Sequence, residues 1–269
     1  TLAANVENLF YTGPGGATLR GNSLENHITG GNATIYAGAG DMISGTGGAN
    51  LYILESENIE VWGNYGGNDT IQAGFGLNLV SEKFQNVNNL IYTGTLGAAL
   101  TSAGGAGVII GGAGADTLKG GGMGFMDNPM QQGATTLMGG AGNDRYLVSE
   151  SNLGTTGTNS YFTAGTVIVE SLNGGTDTVE STADFTLENA ANVENLVLSK
   201  EDETIARFGS GNSLANLIFG NDNGNTLVGL QGSDTIIGGS GDDVIYGAQA
   251  FETLGTIGLA NFVMPNGQS

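Results

Sequence analysis

A spacing of nine residues between glycine-led units constrains this chain more than any other feature. Residues 211–246 divide into four successive nonads, GNSLANLIF, GNDNGNTLV, GLQGSDTII and GGSGDDVIY. Each opens on Gly and carries an aliphatic residue at its eighth place: Ile218, Leu227, Ile236 and Ile245. A strict spacing of nine drifts around an α-helix and cannot keep one face, whereas a short strand and a turn repeated once per unit can. The unit returns as GGAGADTLK at 111–119 and GGAGNDRYL at 139–147, with looser copies GNSLENHIT at 21–29 and GTGGANLYI at 45–53. Between 30 and 44 the units lose one or two residues and the register is less regular. Short repeats of this kind bury their apolar face only by stacking, so the fold class expected is an all-β solenoid.

A longer period lies over the nonads. AANVENL at 3–9 recurs unchanged at 190–196, and QNVNNL at 85–90 is a looser third copy. GNSLEN at 21–26 matches GNSLAN at 211–216, GGNDTI at 66–71 matches GGTDTV at 174–179, and LYILES at 51–56 echoes RYLVSE at 145–150. The reading is three modules in one continuous stack: a partial module 1–53, a second 54–144 and a third 145–247. A non-repeat tail, 248–269, follows as a cap, an interface or a poorly ordered end. Inserts near 120–134 and 152–166, rich in Gly, Thr, Asn and Met, are expected to be loops.

Composition agrees with a solenoid. The 50 glycines come with only 3 prolines, which fits neither collagen nor a Pro/Gly linker. Apolar residues make up 39% but are spread along the chain. Acidic residues outnumber basic ones 26 to 6, a formal net charge of −20. That charge repels nucleic acid and anionic lipid, so neither is expected as a partner. It serves either solubility alone or the binding of divalent cations. Cysteine is absent, which excludes disulfides, thiolate metal sites and a cysteine nucleophile. No run of 18 apolar residues could cross a membrane, and the opening TLAANVENLF has no signal-peptide pattern. Lacking an initial Met and opening on a segment that recurs inside a repeat, the chain reads as a piece of something longer.

The units Gly111–Lys119, Gly139–Leu147 and Gly238–Tyr246 resemble the G-G-x-G-x-D-x-U-x nonapeptide of RTX (haemolysin-type) calcium-binding proteins. The phrases RYLVSE, GGTDTV, ANVENLVL and GNSLAN are similar to the modules of very large secreted RTX proteins. A physical reason for the pattern stands beside the likeness. Tight turning needs glycines where backbones approach closely or take positive φ, and it turns carbonyl oxygens inward. An Asp at the sixth place adds a carboxylate, completing the hard oxygen donors that calcium takes at six to eight positions and that suit magnesium poorly.

The candidate ligands are Asp116, Asp144, Asp234 and Asp243, with Asn225. The turn glycines Gly111, Gly112, Gly114, Gly139, Gly140, Gly142, Gly229, Gly232, Gly238, Gly239 and Gly241 shape their loops. The bland alternative for each Asp is a turn residue bonding its own backbone, and recurrence at the sixth place favours calcium. For Asp41, Asp69 and Asp177, in imperfect turns, the two readings stand level. Asp222 and Asp242 lie off the sixth place and should face solvent. The resemblance implies a right-handed parallel β-roll with two nonads per turn and calcium between neighbouring loops on one edge. It thereby pairs Asn216 with Asp234 and Asn225 with Asp243. Leu230 replaces the second glycine of its unit, which weakens that turn as a site. Asn26, Asn50, Asn216 and Asn225 could instead form amide ladders where the motif decays. Fully coiled at about 4.8 Å per turn, the chain would make a rod on the order of 70 Å.

Catalytic patterns are missing from the sequence. The single histidine, His27, is expected outward on a strand, and neither HExxH, GxSxG nor a P-loop occurs. Glu55 and Glu57 more simply share an exposed face than form a glycosidase pair. Trp62 and Tyr65 are read as packing in an insertion rather than as a sugar platform. The function expected is a calcium-binding structural segment of a secreted or cell-surface protein of adhesin, surface-layer or matrix type. It would fold outside the cell, where calcium is high, after type I secretion as the resemblance implies. Exposed ends make self-association or other surface subunits plausible partners. The alternative is the RTX folding and secretion portion of a secreted enzyme or toxin whose catalytic domain lies outside this chain.

Overall fold

Consecutive strands alternate between two parallel faces of a flattened coil. The computed structural model describes residues 1–103, 106–120, 134–149, 166–199 and 207–247, with the backbone of Asn261–Phe262. Most of both inserts and of the tail lies outside the described residues. One face begins as a five-stranded ladder of Asn8–Phe10, His27–Gly30, Met42–Gly45, Glu60–Trp62 and Phe84–Gln85. It resumes as an eight-stranded ladder from Ala99–Thr101 through Thr117–Lys119, Arg145–Val148, Thr178–Ser181, Asn195–Leu198, Leu217–Phe219 and Thr235–Ile237 to Asn261–Phe262. Leu79 donates its N–H to Thr101 and Thr101 donates to Leu77, so the segment before Phe84 bridges the two ladders.

The other face carries eight strands, Ala17–Arg20, Ala33–Ala37, Leu51–Leu54, Thr70–Ala73, Asn89–Tyr92, Val108–Ile110, Thr136–Met138 and Val167–Val169. Four more follow: Phe185–Thr186, Phe208–Ser210, Thr226–Val228 and Val244–Tyr246. The fold is an all-β parallel solenoid of about 11 turns, the architecture that the nonads require.

Each strand is short because only its central side chain turns inward. Leu217–Phe219, Thr226–Val228 and Thr235–Ile237 each bury the middle residue and leave its neighbours half-buried. In register these residues form continuous columns. Leu19, Ile35, Tyr52, Ile71, Leu90, Ile109, Leu137 and Ile168 line one face. Leu100, Leu118, Tyr146, Val179, Leu196, Ile218 and Ile236 line the other. All are buried, and full burial of such a side chain stabilises by roughly 1.5–3 kcal/mol.

Coil length varies while register does not. Corresponding loop residues lie 18 apart at Asn216 and Asp234 and at Asn225 and Asp243, as two nonads per turn demand. The separation falls to 15 between Asn26 and Asp41, where the units are short. It rises to 28 between Asp116 and Asp144 and to 33 between Asp144 and Asp177, the two coils that carry the inserts. The strands on either side of the extra residues keep register, because a one-residue slip would turn every core side chain outward.

Two sequence expectations change on the surface. Trp62 lies within a strand, not an insertion, and is 51% exposed, while Tyr65 is 65% exposed, so neither is core packing. His27 sits on a strand as expected, edge-on to Phe10 with Nε2 at 3.2 Å from the Ser44 hydroxyl. Asp222 and Asp242 are exposed.

Candidate metal centre

The residue at the sixth place of each loop sits immediately before a strand and is drawn under the coil, where its side chain links one turn to the next. Ala98 N–H donates to Asp116 Oδ1 at 2.7 Å, Asp116 N–H to Asp144 Oδ1 at 2.7 Å, and Asp144 N–H to Asp177 Oδ1 at 2.8 Å. Asp177 N–H then donates to Glu194 at 2.8 Å. Four carboxylates therefore follow one another along one edge. Asp116 and Asp144, separated in sequence by an insert, are direct neighbours in the stack.

Asp144 and Asp177 leave their other oxygens unsatisfied. Both Oδ2 atoms are buried with no hydrogen-bond partner, and the two residues are 2% and 0% exposed. Glu170, 8% exposed, stands beside them, and one carboxylate oxygen from each of the three lies within 4.8 Å of the others. Burial raises all three pKa values, Asp144 to about 6 and Glu170 to about 7; mutual repulsion adds to the rise for both. Desolvation disfavours the charged form, and like charges increase the penalty. Tyr146 donates its hydroxyl to Glu170; burial and that bond hold the phenol protonated well above its ordinary range. A Cβ on Gly139 would land on Asp144 Oδ2, Glu170 Oε1 and the Tyr146 hydroxyl, so only glycine fits against the cluster.

Three buried carboxylates with two oxygens lacking donors are a poor arrangement without a cation and a good one with it. The donors are all hard oxygens, with no imidazole or thiolate, which suits calcium. The turn geometry is that of the nonapeptide: Gly140 has φ +103° and Gly142 φ +117°, and a Cβ at Gly140 would strike Gly112 O in the coil below. The model of the RTX calcium-binding nonapeptide repeat matches this chain in four copies, over residues 102–122, 131–145 and 219–249. These stretches are RTX nonapeptide repeats. Curated proteins and solved structures gave no match. Among the described residues no helix is long and apolar enough to cross a membrane.

Within the RTX repeats, Asp144 comes from a matched stretch, whereas Glu170 and Asp177 lie outside all of them. Glu170 follows a strand directly and is not at the sixth place, so the nonad rule cannot reveal it. Its one sequence signal is that it stands where Gly111, Gly139 and Gly220 open their loops. The remaining RTX candidates divide by environment. Asp234 resembles Asp144: it accepts from Asn216 N–H at 2.9 Å, its Oδ2 is buried without a partner, and burial raises its pKa. Asp116 Oδ2 accepts from Gly112 N–H at 2.7 Å. Asp243 is half-buried and accepts from Asn225 N–H at 2.8 Å.

Where the RTX pattern decays, amides take over the joint. Asn216 accepts from Asn212 N–H at 2.8 Å, and Asn212 Nδ2 donates to Ala190 and Val193 carbonyls. The same arrangement occurs near the start of the chain: Asn26 accepts from Asn22 N–H at 2.8 Å, and Asn22 Nδ2 donates to Ala3 and Val6. Asn225 is held likewise, accepting from Asn221 N–H at 2.7 Å.

Leu230 occupies the second glycine place with φ +71°, keeping the loop shape against its own steric preference. Leu230→Gly should stabilise the chain by about 1 kcal/mol by removing the left-handed penalty, measured by urea unfolding in saturating calcium. An unchanged or lower stability would mean that the half-buried leucine contributes as much packing as its backbone costs.

Proposed function

We propose that Asp144, Glu170 and Asp177 hold a calcium ion between the loops 139–144 and 170–177. In this reading the chain is a calcium-stiffened structural segment of a secreted or cell-surface protein. The observation that carries it is the pair of buried, partnerless Oδ2 atoms in a triad of carboxylates whose pKa values burial has raised. Asp234, Asp116 and Asp243, with Asn225 and the glycine loops Gly111–Gly114, Gly229–Gly232 and Gly238–Gly241, are further positions of the same kind. RTX repeats are typical of secreted proteins, and a rod whose acidic joints need calcium suits a chain exported from a calcium-poor cell into a calcium-rich exterior. Metal binding then becomes folding free energy. An RTX roll acts as scaffold rather than catalyst, which fits a structural part in an adhesin, a surface layer or a matrix.

Circular dichroism during a calcium titration tests this, with magnesium as control and chelator added last. A cooperative gain of β-structure with calcium, reversed by chelator and not reproduced by magnesium at equal concentration, is the expected result. A signal indifferent to calcium and chelator would remove the cation from the structural role.

A further inference from the structure

The chain builds the same joint twice, and the two copies differ in charge. In the third module the joint is Tyr146 in its strand, Asp177 in GGTDTV, Asp144 below it and Glu194 above it. In the earlier coil from Asn50 to Asp69 the equivalents are Tyr52, Asp69 in GGNDTI, Asn50 below and Asn88 above. Glu170, which follows the strand Val167–Val169, has as its counterpart Gly63, which follows Glu60–Trp62. One copy thus gathers four carboxylates, and the other holds only Asp69.

The hydrogen bonds differ accordingly. Asp69 Oδ1 accepts from Asn50 N–H at 2.7 Å and Asn50 Nδ2 at 3.1 Å. Its Oδ2 accepts from the Tyr52 hydroxyl at 2.9 Å and from Asn64 N–H at 2.8 Å. Four donors satisfy a carboxylate fully. In the third module the matching donors are the Tyr146 hydroxyl and Ser171 N–H, the residue after Glu170 as Asn64 is after Gly63. Glu170 takes both. Asp177 Oδ2 is left buried and unpaired. Gly63 leaves no room for such a competitor, because a Cβ there would lie 2.8 Å from Asp69 Oδ2 and closer still to Asn86 O. Asp41, the other buried carboxylate of the first 103 residues, also has donors on both oxygens, Asn26 N–H and Gly38 N–H.

We infer that Glu170 makes the third-module joint calcium-dependent, while coils 1–103 close on their own donors and fold without calcium. The N-terminal coils then present a finished edge on which the acidic coils add when calcium arrives. This rests on calcium being held by Asp144, Glu170 and Asp177. The ligand class is the same hard divalent cation, and what is new is that its influence stops at a boundary within one continuous stack.

Hydrogen exchange of the full chain, read by mass spectrometry in chelator, in magnesium and in calcium, tests the boundary. In chelator, amides of Ala33–Ala37, Leu51–Leu54 and Thr70–Ala73 should exchange at least ~100-fold more slowly than in unfolded chain and change less than ~3-fold on adding calcium. Amides of Arg145–Val148, Thr178–Ser181 and Asn195–Leu198 should gain at least ~100-fold protection only with calcium. If both sets are unprotected in chelator and both gain with calcium, the boundary is wrong while the calcium reading stands. If neither set responds to calcium, that reading fails and the boundary fails with it. Glu170→Gly supplies a second arm. It frees the Tyr146 hydroxyl and Ser171 N–H for Asp177, so the third-module amides should become protected in chelator. Continued dependence on calcium in that variant would show that Glu170 is not what opens the joint.

Discussion

Asp69→Ala should lower the stability of the chain by about 4 kcal/mol or more, equally in calcium and in chelator. The substitution leaves Asn50 N–H, Asn50 Nδ2, Asn64 N–H and the Tyr52 hydroxyl around a residue that is 0% exposed. Each buried donor left without an acceptor costs roughly 1–3 kcal/mol, and even partial access of water to the cavity recovers only part of that. Asp177→Ala, at the equivalent position, should behave differently. In chelator it removes one charge and one partnerless oxygen but also leaves Asp144 N–H without its acceptor, so the loss should be well below that of Asp69→Ala. In calcium it removes a ligand, and most of the calcium-induced rise in melting temperature should vanish. Thermal unfolding of both variants with and without calcium checks this, with Asp242→Asn as a surface control. Equal losses for Asp177→Ala in both conditions would mean that its carboxylate is a hydrogen-bonding element like Asp69 and not part of a cation site.

That contrast also marks how far the sequence can be read. The inward columns follow from the eighth place of the nonads, because a three-residue strand has only one side chain to bury; Ile218, Leu227 and Ile236 needed no structure to place them. The stacking of Asn216 on Asp234 and Asn225 on Asp243 follows from the two units per turn that the resemblance implies. The adjacency of Asp116, Asp144 and Asp177 does not, since coils of 28 and 33 residues hide the fact that the loops meet on one edge. Glu170 obeys no repeat at all. Its effect depends on two donors of its own coil, the Tyr146 hydroxyl from the opposite face and the N–H of Ser171 beside it, and competition for donors is a three-dimensional property. The matching phrases GGNDTI and GGTDTV are nearly identical as text, yet their surroundings carry one carboxylate in the first case and four in the second.

The cluster also sets an unusual pH response. A carboxylate whose pKa is raised by folding binds more protons in the folded than in the unfolded chain between its two pKa values, so stability falls as pH rises through that window. For Asp144 the window runs from the ordinary carboxylate range to about 6, and for Glu170 to about 7. The shifts of Asp177 and Asp234 act in the same direction. In chelator the chain should therefore melt higher at pH 5 than at pH 7.5, by on the order of 5 °C, with the loss complete once Glu170 has ionised. Calcium reverses the slope. It binds the deprotonated cluster, so its affinity rises with pH over the same range and its binding at pH 6 releases protons. Differential scanning calorimetry across pH, with and without calcium, reads the two slopes. Titration calorimetry at pH 6 in two buffers of different ionisation enthalpy reads the proton release. Parallel pH curves in calcium and chelator, with no buffer-dependent heat, would place the cation away from Asp144 and Glu170. Opposite slopes that converge toward pH 5, where Asp144 and Glu170 are protonated and no longer serve as ligands, would tie the ion to these carboxylates.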